Sequence, residues 1–269
     1  MKEKLKQNKV VRFCYYLYKL VIAAIKSPFL RHEKGFSKYK DIHKGKRCFI
    51  VATGPSLTSS DLDMLKGEIT FSMNSIIKSF DKTSWRPTYY VITDKVPYEA
   101  CKDLVDKNDY EQIFFRKGIE DSNKDICHFS VNVVEMRKCH IKDRFKDNLF
   151  PSKKLDKYFN DGPSVVFSII QLAMYMGFTE IYLLGQDCNY DGNLHSDIAS
   201  LKYKIKPTSK NAFIMLETFE NYATIMNECS IKIFNATRGG KLEAFPRVSL
   251  EEIIKEKKNE DSMLYTDKI

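Results

Sequence analysis

The chain has no Cys-x-x-Cys pair, and its cysteines (14, 48, 101, 127, 139, 188 and 229) are odd in number and scattered. That pattern excludes a disulfide framework and predicts the reduced thiols of a cytoplasmic protein. The close ligand pairs of a zinc site are missing too. Cys127-His128 and Cys139-His140 are isolated dipeptides, so no metal site is expected. There is no long apolar run either. The stretch Phe13 to Ile25 is broken by Lys19 and stopped by Ser27-Pro28, short of the roughly 20 residues a bilayer span needs. With no small-x-small cleavage site after it, it does not read as a secretory leader. The lysines are spread along the chain without an aromatic-interleaved basic stretch or a helix-turn-helix pattern, so no nucleic-acid partner is expected.

What is present is a chain of 269 residues with 43% apolar content and a net charge of +9. That is enough for one large α/β domain, or one domain plus an appendage, around a real core. The positive balance favours phosphates, nucleotide sugars or acidic lipid surfaces. Lys2, Lys4, Lys6, Lys9 and Arg12 precede the run containing Tyr15, Tyr16, Tyr18, Leu20 and Ile22. This predicts a basic amphipathic helix over residues 1–28. It would lie in the interface of an anionic membrane, or pack on the protein body or on a second copy. The expected layout is therefore a helix and basic, solvated connector over 1–42, a main domain over 43–254, and a charged, frayed tail over 255–269. Residues 118–160 read as an irregular insertion, either a lid or disordered. The expected location is the cytoplasm, peripheral on the inner face of the membrane.

The main domain reads as β and α segments in alternation. Cys48 to Val51 is a strand that ends in Thr53-Gly54-Pro55-Ser56, since β-branched residues favour strands and Gly-Pro breaks them. Glu68 to Met73 ends at Asn74, Tyr89 to Thr93 ends at Asp94, and Ile113 to Phe115 is a fourth strand. In a parallel sheet such ends share one edge, so Thr53, Asn74 and Asp94 are expected to line one crevice. Asp161-Gly162-Pro163-Ser164 opens a helix from Val165 to Met176 that closes at Gly177, with Asp161 or Ser164 as its cap. Its unpaired N–H groups suit a phosphate. The strand Glu180 to Leu184 then runs into Gly185-Gln186-Asp187. A helix over 212–226, a strand Ile231 to Phe234 and a charged, solvated helix over 249–260 complete the reading.

Gly54-Pro55-Ser56-Leu57, Asn74, Asp94, Asp161-Gly162-Pro163-Ser164, Leu184-Gly185-Gln186-Asp187 with Asp191 to Ser196, and Asn235 to Gly240 follow in that order. This series resembles the 6-hydroxymethylpterin diphosphokinase-like domain family, which includes the motility accessory factors that glycosylate flagellin with nonulosonic acids. The likeness covers residues 43–254. Gly162 to Tyr190 is also similar to bacterial CMP-sialic acid-dependent sialyltransferases. The resemblance implies a Rossmann-like, mostly parallel sheet with helices on both faces, binding a nucleotide-activated donor at its strand ends. It implies that Thr53, Gly54, Pro55 and Ser56 contact the phosphate or sugar, Asn74 the donor sugar, and Gly162, Pro163 and Ser164 the cytidine and phosphate. Asp94 stands where the sialyltransferases carry Asn, and an acid is what the wider family tends to show.

Two activities follow from the likeness. The first is transfer of a sialic acid-like sugar from a CMP donor to a glycan or lipid-linked acceptor by direct displacement. It needs no cofactor. His195 is its candidate base, Tyr190 and Tyr203 support the leaving phosphate, and Asp187 is a base or the residue that orients His195. The second is pyrophosphoryl transfer from ATP to a pterin alcohol, with Mg²⁺ held by Asp94 and Asp187.

Overall fold

The computed structural model describes residues 31–105, 112–119, 126–132, 150–189, 195–200 and 209–256, together with Cys14, Tyr18, Val21, Ile25 and Phe29. The strands are β1 (Arg47–Val51), β2 (Thr70–Met73), β3 (Tyr89–Ile92), β4 (Gln112–Arg116), β5 (Ile126–Phe129), β6 (Val131–Asn132), β7 (Phe159–Asn160), β8 (Glu180–Leu184) and β9 (Lys232–Asn235). The helices are α1 (Ser59–Met64), α2 (Lys95–Glu99), α3 (Val165–Tyr175) and α4 (Ser209–Glu228), with α5 over 250–256.

Seven strands form one sheet in the order β5-β4-β3-β2-β1-β8-β9, and every pairing in it is parallel. A parallel sheet is covered on both faces, which is why its strands read as nearly continuous apolar runs. The pleat sends alternate residues to opposite sides. Cys48 and Ile50 join Phe71, Val91 and Phe114 against Phe167, Ile170, Phe219 and Tyr222 of α3 and α4. Phe49 and Val51 join Tyr90, Ile92 and Phe115 against Leu62, Trp85, Tyr98, Leu250 and Ile254. The architecture is thus Rossmann-like α/β, with helices on both faces.

Three stretches differ from the sequence reading. The supposed insertion over 118–160 holds β5, which extends the main sheet at its edge, and β6 and β7, which pair in parallel. Residues 120–125 and 133–149 lie outside the described residues, and with them any lid. The connector before β1 is not merely solvated. Phe36 and Tyr39 bury at 2% and 6% exposure, and backbone bonds from Asp41, His43 and Gly45 to the carbonyls of Tyr175, Met176 and Gly177 tie this strap to the end of α3. The body therefore starts before residue 43. Finally, α5 is solvated on one side only, since Leu250 and Ile254 pack into the core one turn apart; residues 257–269 are outside the described set.

His32 holds the strap to the far edge of the sheet. Its Nδ1 accepts from the Ser130 amide at 3.2 Å, while Nε2 donates to the Leu155 carbonyl at 2.9 Å. The ring stacks on Phe36 with centroids 4.1 Å apart. Burial pushes its pKa down to about 4.

Candidate functional site

Strand order reverses between β1 and β8: from β1 the sheet runs through β2 to β5, and from β8 it runs the other way to β9. Crevices at such switch points, outside the carboxyl ends of the strands, are where open α/β sheets bind ligands. The register sets these ends level, with Val51 beside both Ser72 and Leu184, and Met73 beside Val91. A cleft of about 360 Å³ opens there.

Its floor is the turn after β1. Gly54 donates its N–H to the Gly185 carbonyl at 2.9 Å, and Leu57 returns its own to Gly54 at 3.1 Å. A side chain at 54 has no room: a Cβ would stand 2.1 Å from Asp187 Oδ2 and 2.4 Å from the Gly185 carbonyl. The same carboxylate oxygen accepts from Ser56 Oγ at 2.9 Å and more weakly from the Ser56 amide at 3.4 Å. Asp187 therefore braces the turn from behind. Burial raises its pKa, and the Ser56 bonds pull it partly back.

Asp187 is itself held from the far side. Lys241 donates its amide to the Asp187 carbonyl at 2.8 Å. Gly240, at φ +75°, passes so near that a Cβ would meet that carbonyl oxygen at 2.6 Å. Thr237 Oγ1 accepts from the Gln186 amide at 3.0 Å, and Asn235 Oδ1 accepts from the Thr237 amide. The Asn235–Gly240 segment thus forms a supporting layer and lies outside the cleft lining.

Around the rim stand the other strand ends. Asn74 has φ +48°, a left-handed conformation that asparagine tolerates better than most residues. Its carbonyl accepts from the Tyr90 hydroxyl. Its side-chain Oδ1 is buried with no hydrogen-bond partner, which costs stability until a donor arrives. Asp94 precedes α2, and beyond it Val96 is exposed by 68% at the mouth. Opposite lies the start of α3, where Ser164 caps the helix by accepting from the Val166 amide. The eleven residues of α3 place the positive end of a helix dipole on the cleft.

His195 closes the rim. Its Nδ1 lies 3.0 Å from Thr53 Oγ1, and the next residue donates its amide to the Thr53 carbonyl at 2.9 Å. Burial lowers the His195 pKa, with the contact to Thr53 opposing the shift. The ring is neutral near pH 7.

The cleft thus gathers Thr53, Gly54, Pro55, Asn74, Asp94, Pro163, Ser164, Asp187 and His195. Two expected contact residues are not part of its lining. Ser56 points its hydroxyl at Asp187, and Gly162 packs where a Cβ would strike Phe167 at 2.6 Å. Tyr190 and Tyr203 lie outside the described residues. Sequence reasoning missed Gln186, Cys188 and Met215, whose side chains form a buried chain of contacts at one wall. Gln186 Nε2 reaches Cys188 Sγ at 3.3 Å and Met215 Sδ at 3.2 Å. Among the described lining residues, Asp94 and Asp187 are the carboxylates and there is no lysine or arginine. An anion placed here would meet no cationic side chain among the described lining residues, only hydroxyls and the start of α3. A cation would find those two carboxylates, although the described residues hold no group of three or more potential metal ligands.

Comparison with known proteins agrees with this architecture. The solved structure of MAf glycosyltransferase from Magnetospirillum magneticum AMB-1 is similar over 82% of this chain at 16% identity, with a TM-score of 0.51. The chain spans 39% of the length of that protein, and at this identity the likeness concerns the fold. No curated protein matches the chain. The family model described as 6-hydroxymethylpterin diphosphokinase MptE-like matches residues 25–193, a stretch that runs from the strap through β1 and the Thr53–Ser56 turn to α3, β8 and Asp187. The chain belongs to this MptE-like family.

Proposed function

We propose that the cleft binds a nucleotide-activated sugar, of the CMP-nonulosonate type, and transfers the sugar to a hydroxyl of a surface-glycan or lipid-linked acceptor. The observation that carries this reading is the meeting of His195 and Thr53 with the α3 start across one cleft at the switch point. The fold shared with a glycosyltransferase supports it.

In the proposed reaction the acceptor oxygen forms a bond to the anomeric carbon as the bond from that carbon to the phosphate oxygen breaks. The electron pair leaves with CMP. The acceptor proton passes to His195 Nε2, with Nδ1–H donated to Thr53 so that the ring keeps the right tautomer. A histidine whose pKa is lowered by burial is neutral and ready to accept that proton. The departing phosphate gains charge beside the N–H groups at Ser164 and Val165, where each preorganised donor contributes a few kcal/mol. Asn74 would offer Oδ1 to a donor group of the ligand, and Asp94 would hold a sugar hydroxyl. Asp187 acts here as the brace of the turn, through Ser56.

The second reading is pyrophosphoryl transfer from ATP, for which the family description and the presence of both Asp94 and Asp187 in the cleft lining speak. One experiment separates the two. Thermal shifts are measured with CMP, CDP, UDP, GDP and ATP, each with Mg²⁺ and with EDTA, since a ligand of the folded form raises the melting temperature by mass action. Preference for CMP with no effect of EDTA supports sugar transfer. A shift with ATP alone, abolished by EDTA, overturns it for the kinase.

A further inference from the structure

The positive charge of the chain is not shared out as its lysines are. Residues 1–47 contain fourteen of the 44 Lys and Arg but three of the 35 Asp and Glu, an excess of eleven positive charges. Residues 48–269 carry two more negative charges than positive. The cleft does not account for this excess, because its described lining has two aspartates and no cationic side chain.

The same segment exposes apolar surface. Cys14, Tyr18, Val21 and Ile25 are helical, and their 4-3-4 spacing sets them on one face. Tyr18, Val21 and Ile25 are 58%, 55% and 57% exposed, and Phe29 is 81% exposed. The strap then presents Arg31, Lys34, Lys38, Lys40, Lys44 and Lys46 to solvent around the exposed Ile42. The strap crosses the sheet from edge to edge: the Arg31 carbonyl accepts from Lys117 and Ser130, just past the carboxyl ends of β4 and β5, and Thr179, just before β8, donates its amide to the Lys46 carbonyl.

We infer that the face of Tyr18, Val21 and Ile25, together with the basic strap over residues 31–46, is a docking surface for an anionic lipid bilayer, with the apolar face in the interface and the strap over the headgroups. The described residues include no helix long and apolar enough to cross a membrane, and the thirteen residues from Phe13 to Ile25 are the length of an interfacial segment. A seam between two copies would use the same 4-3-4 face, but it would bring eleven excess positive charges of each copy together without a counter-charge. Acidic headgroups supply one.

The test is co-sedimentation of the full chain with vesicles of phosphatidylcholine, alone or mixed with phosphatidylglycerol. Binding is expected only to the mixed vesicles, and high salt should reverse it. A basic residue near an acidic surface raises partitioning roughly fivefold, so the triple variant Lys34→Gln, Lys40→Gln, Lys44→Gln should lose on the order of 100-fold. The variant Val21→Asp, Ile25→Asp should also lose binding. All five positions are exposed, so folding, checked by circular dichroism, should be retained. Equal binding to both vesicle types, or binding that neither variant weakens, overturns the proposal. So does failure to bind vesicles, including the case of a concentration-dependent dimer broken by Val21→Asp, Ile25→Asp, which assigns the face to a second copy.

Discussion

Acid should loosen this fold through His32. The ring is neutral in the folded protein because burial in a packed aromatic cluster disfavours its charged form, and because Nδ1 must stay unprotonated to accept from Ser130; the bond donated to Leu155 only partly opposes this. Its pKa falls to about 4 from an ordinary 6.5. Below pH 6.5 the unfolded chain takes up a proton at this site that the native state refuses, so stability is full above that pH and declines as pH falls towards 4. From those two values the loss between pH 7.5 and pH 5 is about 2 kcal/mol, approaching about 3 kcal/mol below pH 4. Other groups titrate in the same range, so the difference between wild type and His32→Gln isolates this one. The variant keeps a donor for Leu155 but leaves the Ser130 amide unpaired, which costs about 1–3 kcal/mol at pH 7.5. Urea unfolding at both pH values should show that gap shrinking by about 2 kcal/mol on acidification. A gap unchanged between pH 7.5 and pH 5 would refute the reasoning.

Three further outcomes are expected at the cleft. His195→Ala should lower turnover by roughly 10²–10⁴ while leaving the thermal shift with the donor nucleotide in place; in the wild type the acidic limb of kcat/KM should fall at a midpoint below 6.5, because burial lowers this histidine's pKa. Asn74→Gly keeps the left-handed backbone and removes the orphaned oxygen, so stability should hold or rise while affinity drops roughly tenfold; unaltered affinity would remove Asn74 from the site. Gly54→Ala drives a methyl into the Asp187 carboxylate and should cost about 1–3 kcal/mol, part of which Asp187→Ala restores in the double variant, a coupling that thermal unfolding of the four proteins measures.

Thr53, Asn74 and Asp94 were readable as one group because each ends a strand, and parallel strands end on one edge. Nothing in the residues themselves marked them. The Ser164 cap and the Gly177 stop of α3 followed from local backbone chemistry in the same way. Relations across the chain were not readable. Ser56 and Asp187 are 131 positions apart, so the bonds by which this carboxylate braces the turn could not be read from the chain, whatever else it does at the site. Met215 reaches the cleft from the middle of an amphipathic helix whose pattern does not distinguish a wall residue from a core one. The strap was misread because its many lysines outweighed Phe36 and Tyr39. In β5, partly exposed Cys127 and His128 between Ile126 and Phe129 gave no continuous apolar run of the kind buried strands show.

The interlock at Asp187 bears on how such a site changes over descent. A glycine presses on its carboxylate from one side and another on its carbonyl from the other, so a new residue at 54, 187 or 240 survives only if its neighbours change with it. Lineages that alter the chemistry therefore have little room on this floor. Their freedom lies at the rim, at Val96, whose exposed side chain at the mouth meets the incoming molecule first.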